Sequence, residues 1–307
     1  MYFMPRFTEE QLAKMCRPAS DSEETKLDKA ESILKQALKT STIIDSSRYE
    51  VFGQGSYANN TNIRLNSDID INVCYTNAFF YDIPNGTKKE DFGIGDNVSY
   101  SFGEYKDDIE KMLVLFYGRS EVIRKNKCIT VKGSTSRIQI DVVPTWVYKR
   151  YNSKINYSAY VEGVVLFTDK TGEKITNYPK QHKKNGVSKN TNTHRWFKRL
   201  TRIFKNIRIK MESENFYSND NITSFLLECL AYNVPTPTYT KNMCYCVWND
   251  ILRDSIIYLY ENTKEEASTY LEWGEVSELL YLMKCHKWTR EDVNTYMVKM
   301  WNYLEFN

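Results

Sequence analysis

The chain has 307 residues, enough for a sizeable core in one large domain or two smaller ones, and its 41% hydrophobic, 26% charged and 14% aromatic content excludes intrinsic disorder. A formal charge of +3 gives no global attraction for polyanions, so any nucleic-acid affinity would need local clustering. No apolar run approaches bilayer length and the opening MYFMPRFTEEQL has no basic-then-apolar leader, so a cytoplasmic protein without a membrane partner is expected.

Seven irregularly placed Cys fit reduced thiols better than a disulfide framework. Cys244 and Cys246 form a CxC and Cys285 precedes His286. Without a paired CxxC, however, free thiols are the better reading than structural zinc.

Residues 20–40 open with Ser20 and Glu23 at capping-box spacing and continue with Leu27, Ala30, Ile33, Leu34, Ala37 and Leu38 at helical period. Tyr49 to Phe52 reads as a strand running into Gly53, Gly55 and Ser56. Asp68-Ile69-Asp70-Ile71-Asn72-Val73 then alternates strictly, which puts both aspartates on one face and Ile69, Ile71 and Val73 toward the core. Residues 76–105, rich in Gly, Asn and Asp, read as loops before a helix around 105–117.

Cys128 to Lys132 and Ile138 to Val142 read as a hairpin turning at Gly133-Ser134, with Asp141 off the core face and Pro144 ending the strand. Val161 to Thr168 reads as a further strand. Tyr178-Pro179 follows, then a basic loop with Lys180, His182, Lys183, Lys184 and Lys189; His182 and His194 are taken as surface residues. From about 191 Trp196, Phe197, Leu200, Ile203, Phe204 and Ile207 form one helical stripe opposite Arg195, Lys198, Arg199, Arg202, Lys205, Arg208 and Lys210. Helices are expected at 223–233, 245–262, 275–284 and 289–304, with the first ending before Pro235. Two domains follow: a core over 1–190 with an N-terminal helix, and a helical lobe over 191–307.

Three carboxylates can carry a definite chemistry. Nucleotidyl transfer requires divalent metal to neutralise phosphate charge and acidify the attacking hydroxyl, and Mg²⁺ takes oxygen ligands. Asp68, Asp70 and Asp141 supply three carboxylates if their strands are neighbours, although Asp-x-Asp alone is more often a solvated strand face. Gly55-Ser56, with Ser56 twelve residues before Asp68, could let backbone approach phosphate and add a hydroxyl, or be an ordinary tight turn. Lys205 and Ser224, nineteen residues apart, could serve phosphates, or be a solvated charge and a helix cap.

The segments Phe-Gly-Gln-Gly-Ser-Tyr-Ala-Asn-Asn-Thr (52–61), Ser-Asp-Ile-Asp-Ile-Asn-Val (67–73) and Ile-Asp-Val-Val-Pro (140–144), with 179–207 and 224–235, together resemble the cGAS/DncV-like nucleotidyltransferases (CD-NTases) of the polymerase β-like superfamily, over most of residues 50–235. The Asn-Asn-Thr-Asn run and the 179–190 segment resemble clade E of the bacterial branch, whose members often use pyrimidine nucleotides.

The resemblance implies an α+β fold, a polymerase β-like core with a mixed sheet plus a C-terminal helical lobe, and an active site in the cleft between them. It implies two Mg²⁺ or Mn²⁺ ions on Asp68, Asp70 and Asp141, with Asp141 assisting deprotonation. Gly55 and Ser56 would grip the donor triphosphate, Lys205 and Ser224 would contact phosphates, and Phe225 would stack on a base. The substrates would be ATP and UTP or another pyrimidine nucleotide, and the product a cyclic di- or trinucleotide messenger read by an effector in antiphage (CBASS) defence. A monomer needing no nucleic-acid partner is expected. The rival readings are a nucleotidyltransferase modifying RNA, a small molecule or a protein, and a nucleotide-binding scaffold without activity. Asp91-Phe92-Gly93 lacks the other kinase motifs and is coincidental.

Overall fold

Ile69, Ile71 and Val73 are fully buried while Asp70 stays partly exposed, so the alternation does sort one strand into two faces. The computed structural model describes residues 5–18, 22–63, 69–95, 98–135, 137–152, 160–241 and 247–306. Asp68, Cys244, Cys246 and Ser20, and with Ser20 the expected capping box, lie outside what it describes.

The chain divides into a sheet unit, residues 21–58 and 66–180, and a helical unit, residues 1–20, 59–65 and 181–307. The last division between these units falls at 180/181. Helix α1 (Glu9–Met15) belongs with the helices, and so does the short segment 59–65.

The sheet unit runs α2 (Ser22–Lys39), β1 (Tyr49–Gln54), α3 (Gly55–Ala58), β2 (Ile69–Asp82), α4 (Phe102–Tyr117), β3 (Val122–Arg124), β4 (Ile129–Val131), β5 (Ile140–Tyr151), β6 (Tyr160–Phe167) and β7 (Lys174–Asn177). The sheet order is β1-β2-β5-β4-β3, with β6 on β5 and β7 on β6. Among the described residues only β2 and β5 pair in parallel, so the sheet is mixed. Helix α4 starts with a full capping box, Ser101 Oγ accepting from Glu104 N–H and Glu104 accepting from Ser101 N–H. Its buried Tyr105 donates a 2.8 Å hydrogen bond to the Val73 carbonyl.

Two strands run further than expected. Residues 76–82, read as loop, continue β2 after a register shift between Tyr75 and Phe79. The aromatic run Phe79-Phe80-Tyr81 suits a pleated, half-buried surface better than a loop. Pro144 does not end β5. It pairs with Val73 on one side, while on the other β4 stops at Val142 and β6 begins at Trp146, so a residue without an N–H leaves no ladder bond unmade there.

The helical unit contains α5 (Pro179–Asn192), α6 (Trp196–Ser213), α7 (Ser224–Asn233), α8 (Thr236–Thr240), α9 (Trp248–Glu261) and α10 (Arg290–Tyr303). The segment expected as a basic loop is α5, opened by Pro179 at the helix position where a missing N–H costs nothing. The α6 stripe is buried as read, but Arg202 and Lys205 are buried too, so this helix is enclosed on more than its apolar side. No helix forms over 275–284. There Glu275 N–H bonds to the Leu280 carbonyl, Glu278 adopts φ +60°, and Gly274 bridges to Tyr281, so the chain folds back on itself. The core of this unit gathers Phe197, Phe204, Leu226, Leu230, Ile251, Leu259 and Tyr296, each worth roughly 1.5–3 kcal/mol in area removed from water.

Candidate active site

Strand pairing assembles the site before any side chain is considered. Gln54 on β1 lies opposite Asp70 on β2, Asp70 lies opposite Asp141 on β5, and Asp141 lies opposite Thr130 on β4. Directly paired residues share a sheet face. Two of the three predicted carboxylates are therefore adjacent on neighbouring strands, which the sequence could not establish. Asp68 lies outside the described residues, and among those residues no group of three His, Cys, Asp or Glu converges as a metal cluster.

Gly55 is bound to this row by steric need. Its φ is +71°, and a Cβ built on it would stand 2.3 Å from Asp70 Oδ2. Only glycine combines that backbone with so close a carboxylate. Ser56 follows at the head of α3, partly exposed.

Asp141, with a side chain 16% exposed, takes a 2.5 Å hydrogen bond at Oδ1 from the Thr130 hydroxyl, and the Lys125 ammonium stands 3.4 Å from the same oxygen. Burial pushes the neighbouring Cys128 thiol up to about 11, the Asp141 carboxylate adding to the effect, so the thiol stays protonated. One row further along the same face, Thr145 donates to Asn72 Oδ1 at 2.6 Å and Asn72 donates to Gln54 Oε1 at 3.1 Å. Sequence reasoning missed Thr130, Lys125, Asn72 and Gln54. Thr130 was legible in principle, since it alternates with the buried Ile129 and Val131, but its partner depended on hairpin register.

The helical unit holds the other predicted residues. Lys205, expected to contact substrate phosphate, lies on α6. It is 2% exposed, and its Nζ donates to Glu228 Oε2 at 3.0 Å and to the carbonyl and hydroxyl of Thr61 at 3.2 and 3.1 Å, which uses three donors. His182, expected at the surface, is buried with Nε2 3.0 Å from Glu228 Oε1. Burial alone would raise the Glu228 carboxyl. Lys205 and His182 outweigh it and hold that carboxyl well below the usual range.

Ser224 is the first residue of α7, where the cap is Thr223. The Ser224 hydroxyl lies 3.4 Å from the Arg208 guanidinium. Phe225 is partly buried, its ring 5.8 Å from His182, 5.9 Å from Trp288 and 6.2 Å from His286.

An all-oxygen pair of carboxylates on one face, beside a glycine that leaves room against one of them, fits a hard divalent cation. Residues 184–305 match the cGAS/DncV-like nucleotidyltransferase C-terminal helical domain. A cyclic dipyrimidine nucleotide synthase, CdnE, of Cecembia lonarensis is 54% identical, over 99% of this chain and 100% of that one. A cyclic dipurine nucleotide synthase of Elizabethkingia meningoseptica is 35% identical, over 98% of this chain and 99% of its own. The solved Rhodothermus marinus CdnE c-UMP-AMP synthase with Apcpp and Upnpp matches with a TM-score of 0.85 at 26% identity, covering 98% of each chain. The chain belongs to the cGAS/DncV-like nucleotidyltransferases, in the CdnE group of cyclic-nucleotide synthases.

Proposed function

We propose that this chain joins nucleoside triphosphates, at least one of them a pyrimidine nucleotide, into a cyclic dinucleotide with release of pyrophosphate. The observation that carries the reaction class is the in-register pair Asp70 and Asp141 beside Gly55. The preference for pyrimidines is supported by the 54% identity to a cyclic dipyrimidine synthase along the whole chain.

Asp70 and Asp141, with Asp68, would hold two Mg²⁺ or Mn²⁺ ions. When bound, such ions neutralise triphosphate charge and acidify the attacking ribose hydroxyl. The Gly55 backbone and the Ser56 hydroxyl would donate to the donor triphosphate, and Asp141 would receive the hydroxyl proton. The ribose oxygen then bonds to the donor α-phosphorus as the bond to pyrophosphate breaks. A second attack of the same kind within the linear dinucleotide closes the ring and releases a second pyrophosphate. Ser224 is kept as a phosphate contact and Phe225 as a base platform. In the cell the chain would act as a cytoplasmic monomer without a nucleic-acid partner, its product read by an effector in CBASS defence.

The test supplies the purified chain and Mg²⁺ with UTP and CTP only, ATP and GTP only, or all four, and weighs the phosphatase-resistant product. A cyclic dinucleotide containing uridine or cytidine is expected. A product confined to the ATP and GTP mixture would contradict the pyrimidine assignment, and transfer onto RNA in place of cyclic product would contradict the reaction.

A further inference from the structure

Thr130 is 2% exposed, so its hydroxyl must find a protein partner or lose roughly 1–3 kcal/mol. The partner it has is the carboxylate on which the proposed reaction turns, at 2.5 Å. Sheet order gives this bond a direction. Strand β5 lies between β2 and β4, so Thr130 and Asp70 flank Asp141 from opposite sides of the same row. A hydroxyl holding Oδ1 on the β4 side fixes the rotation of the carboxylate about its last torsion, which is otherwise broad. The Lys125 ammonium approaches the same oxygen, so two donors orient Asp141 from one side.

We infer that Thr130 is a positioning residue for the metal-binding carboxylate Asp141, acting through its hydroxyl on Oδ1; this rests on the proposed reading of the site. Partners of that kind tune a ligand without touching metal or substrate, and losing one typically costs about 10–100-fold in metal affinity or activity. The alternative is that Thr130 is there for its β-branched shape. Valine keeps that shape and removes the hydroxyl, whereas serine keeps the hydroxyl and removes a methyl.

The experiment uses the full chain as Thr130→Val, Thr130→Ser and Asp141→Asn. Manganese affinity is measured by the paramagnetic resonance of free Mn²⁺ with a non-hydrolysable ATP analogue, alongside kcat, KM and melting temperature. Thr130→Val is expected to weaken Mn²⁺ binding about tenfold and to lower kcat about tenfold or more, with KM for nucleotide within about twofold of wild type. Thr130→Ser is expected to restore both to within about threefold. Thr130→Val with wild-type Mn²⁺ affinity and kcat overturns the inference, as does Thr130→Ser behaving like Thr130→Val. If Asp141→Asn loses Mn²⁺ affinity and product while Thr130→Val loses neither, this inference alone fails. If Asp141→Asn also keeps both, the reading of the site fails with it.

Discussion

Gly55 makes the sharpest demand on a single residue. An added methyl meets Asp70 Oδ2 at 2.3 Å while the backbone sits at φ +71°, so either the turn or the carboxylate must shift. Displacements of about 1 Å at a reacting centre can cost about 10²-fold. Gly55→Ala should therefore lower turnover by about that factor while the melting temperature drops only a few degrees, as steady-state assays and thermal melts would show. Glu228 makes a different kind of demand, being 4% exposed and joined to Lys205, His182 and Thr61. Removing one member of a buried ion pair strands the other, so Glu228→Ala should cost about 3–5 kcal/mol in urea unfolding.

That network also shows where residue-scale reading stopped. Asp70 and Asp141 were legible because period-two alternation exposes a strand's odd residue, and Gly55 because a glycine before Ser56 marks a close approach. The partners of Lys205 were not legible. Its counter-charge Glu228 is 23 residues away on another helix and Thr61 is 144 residues away, and no local pattern carries such pairings.

Among the elements, α6 lines the helical unit's core along its whole length, with Phe197, Leu200, Ile203, Phe204, Ile207 and Met211 all fully buried. Phe204→Ala should cost about 3–5 kcal/mol in denaturant unfolding. The same helix shows why amphipathic reading is incomplete. A stripe identifies the side that must be buried, but it is silent on whether the opposite side is covered as well. The 275–284 segment failed for a related reason, since its spaced apolar residues serve a folded-back turn pinned by Asn233, whose amide donates to the Gly274 carbonyl at 2.8 Å. Strand lengths failed at Pro144 because the gap between β4 and β6 that accommodates it is a property of the assembled sheet.

The helix pair α6 and α7 also carries a pH dependence with a definite sign. The folded Glu228 carboxyl lies below its ordinary value of 4.5, so the native state binds fewer protons there than the unfolded chain. Its stabilising effect is complete above about pH 4.5 and is lost as the pH falls further. Unfolding free energy measured from pH 6 to pH 3 should fall more steeply for wild type than for Glu228→Gln. Equal slopes would show that the pair does not act through its charge.

At the scale of the whole molecule, the segment 59–65 joins the helical unit although its sequence neighbours on both sides belong to the sheet unit. Within the helical unit Asn60 and Thr61 are held by Arg202 and Lys205, the guanidinium reaching the Asn60 carbonyl at 2.8 Å. Two of the α6 charges opposite the apolar stripe, Arg202 and Lys205, are thus internal supports. The central claim is that Asp70 and Asp141, paired across β2 and β5, make a cyclic nucleotide. The direct measurement is mass spectrometry of the phosphatase-resistant product from the four ribonucleoside triphosphates and Mg²⁺, for wild type and for Asp70→Asn with Asp141→Asn. The account predicts a cyclic dinucleotide from wild type and at least about a 10³-fold loss in the double variant; equal product from both would contradict it.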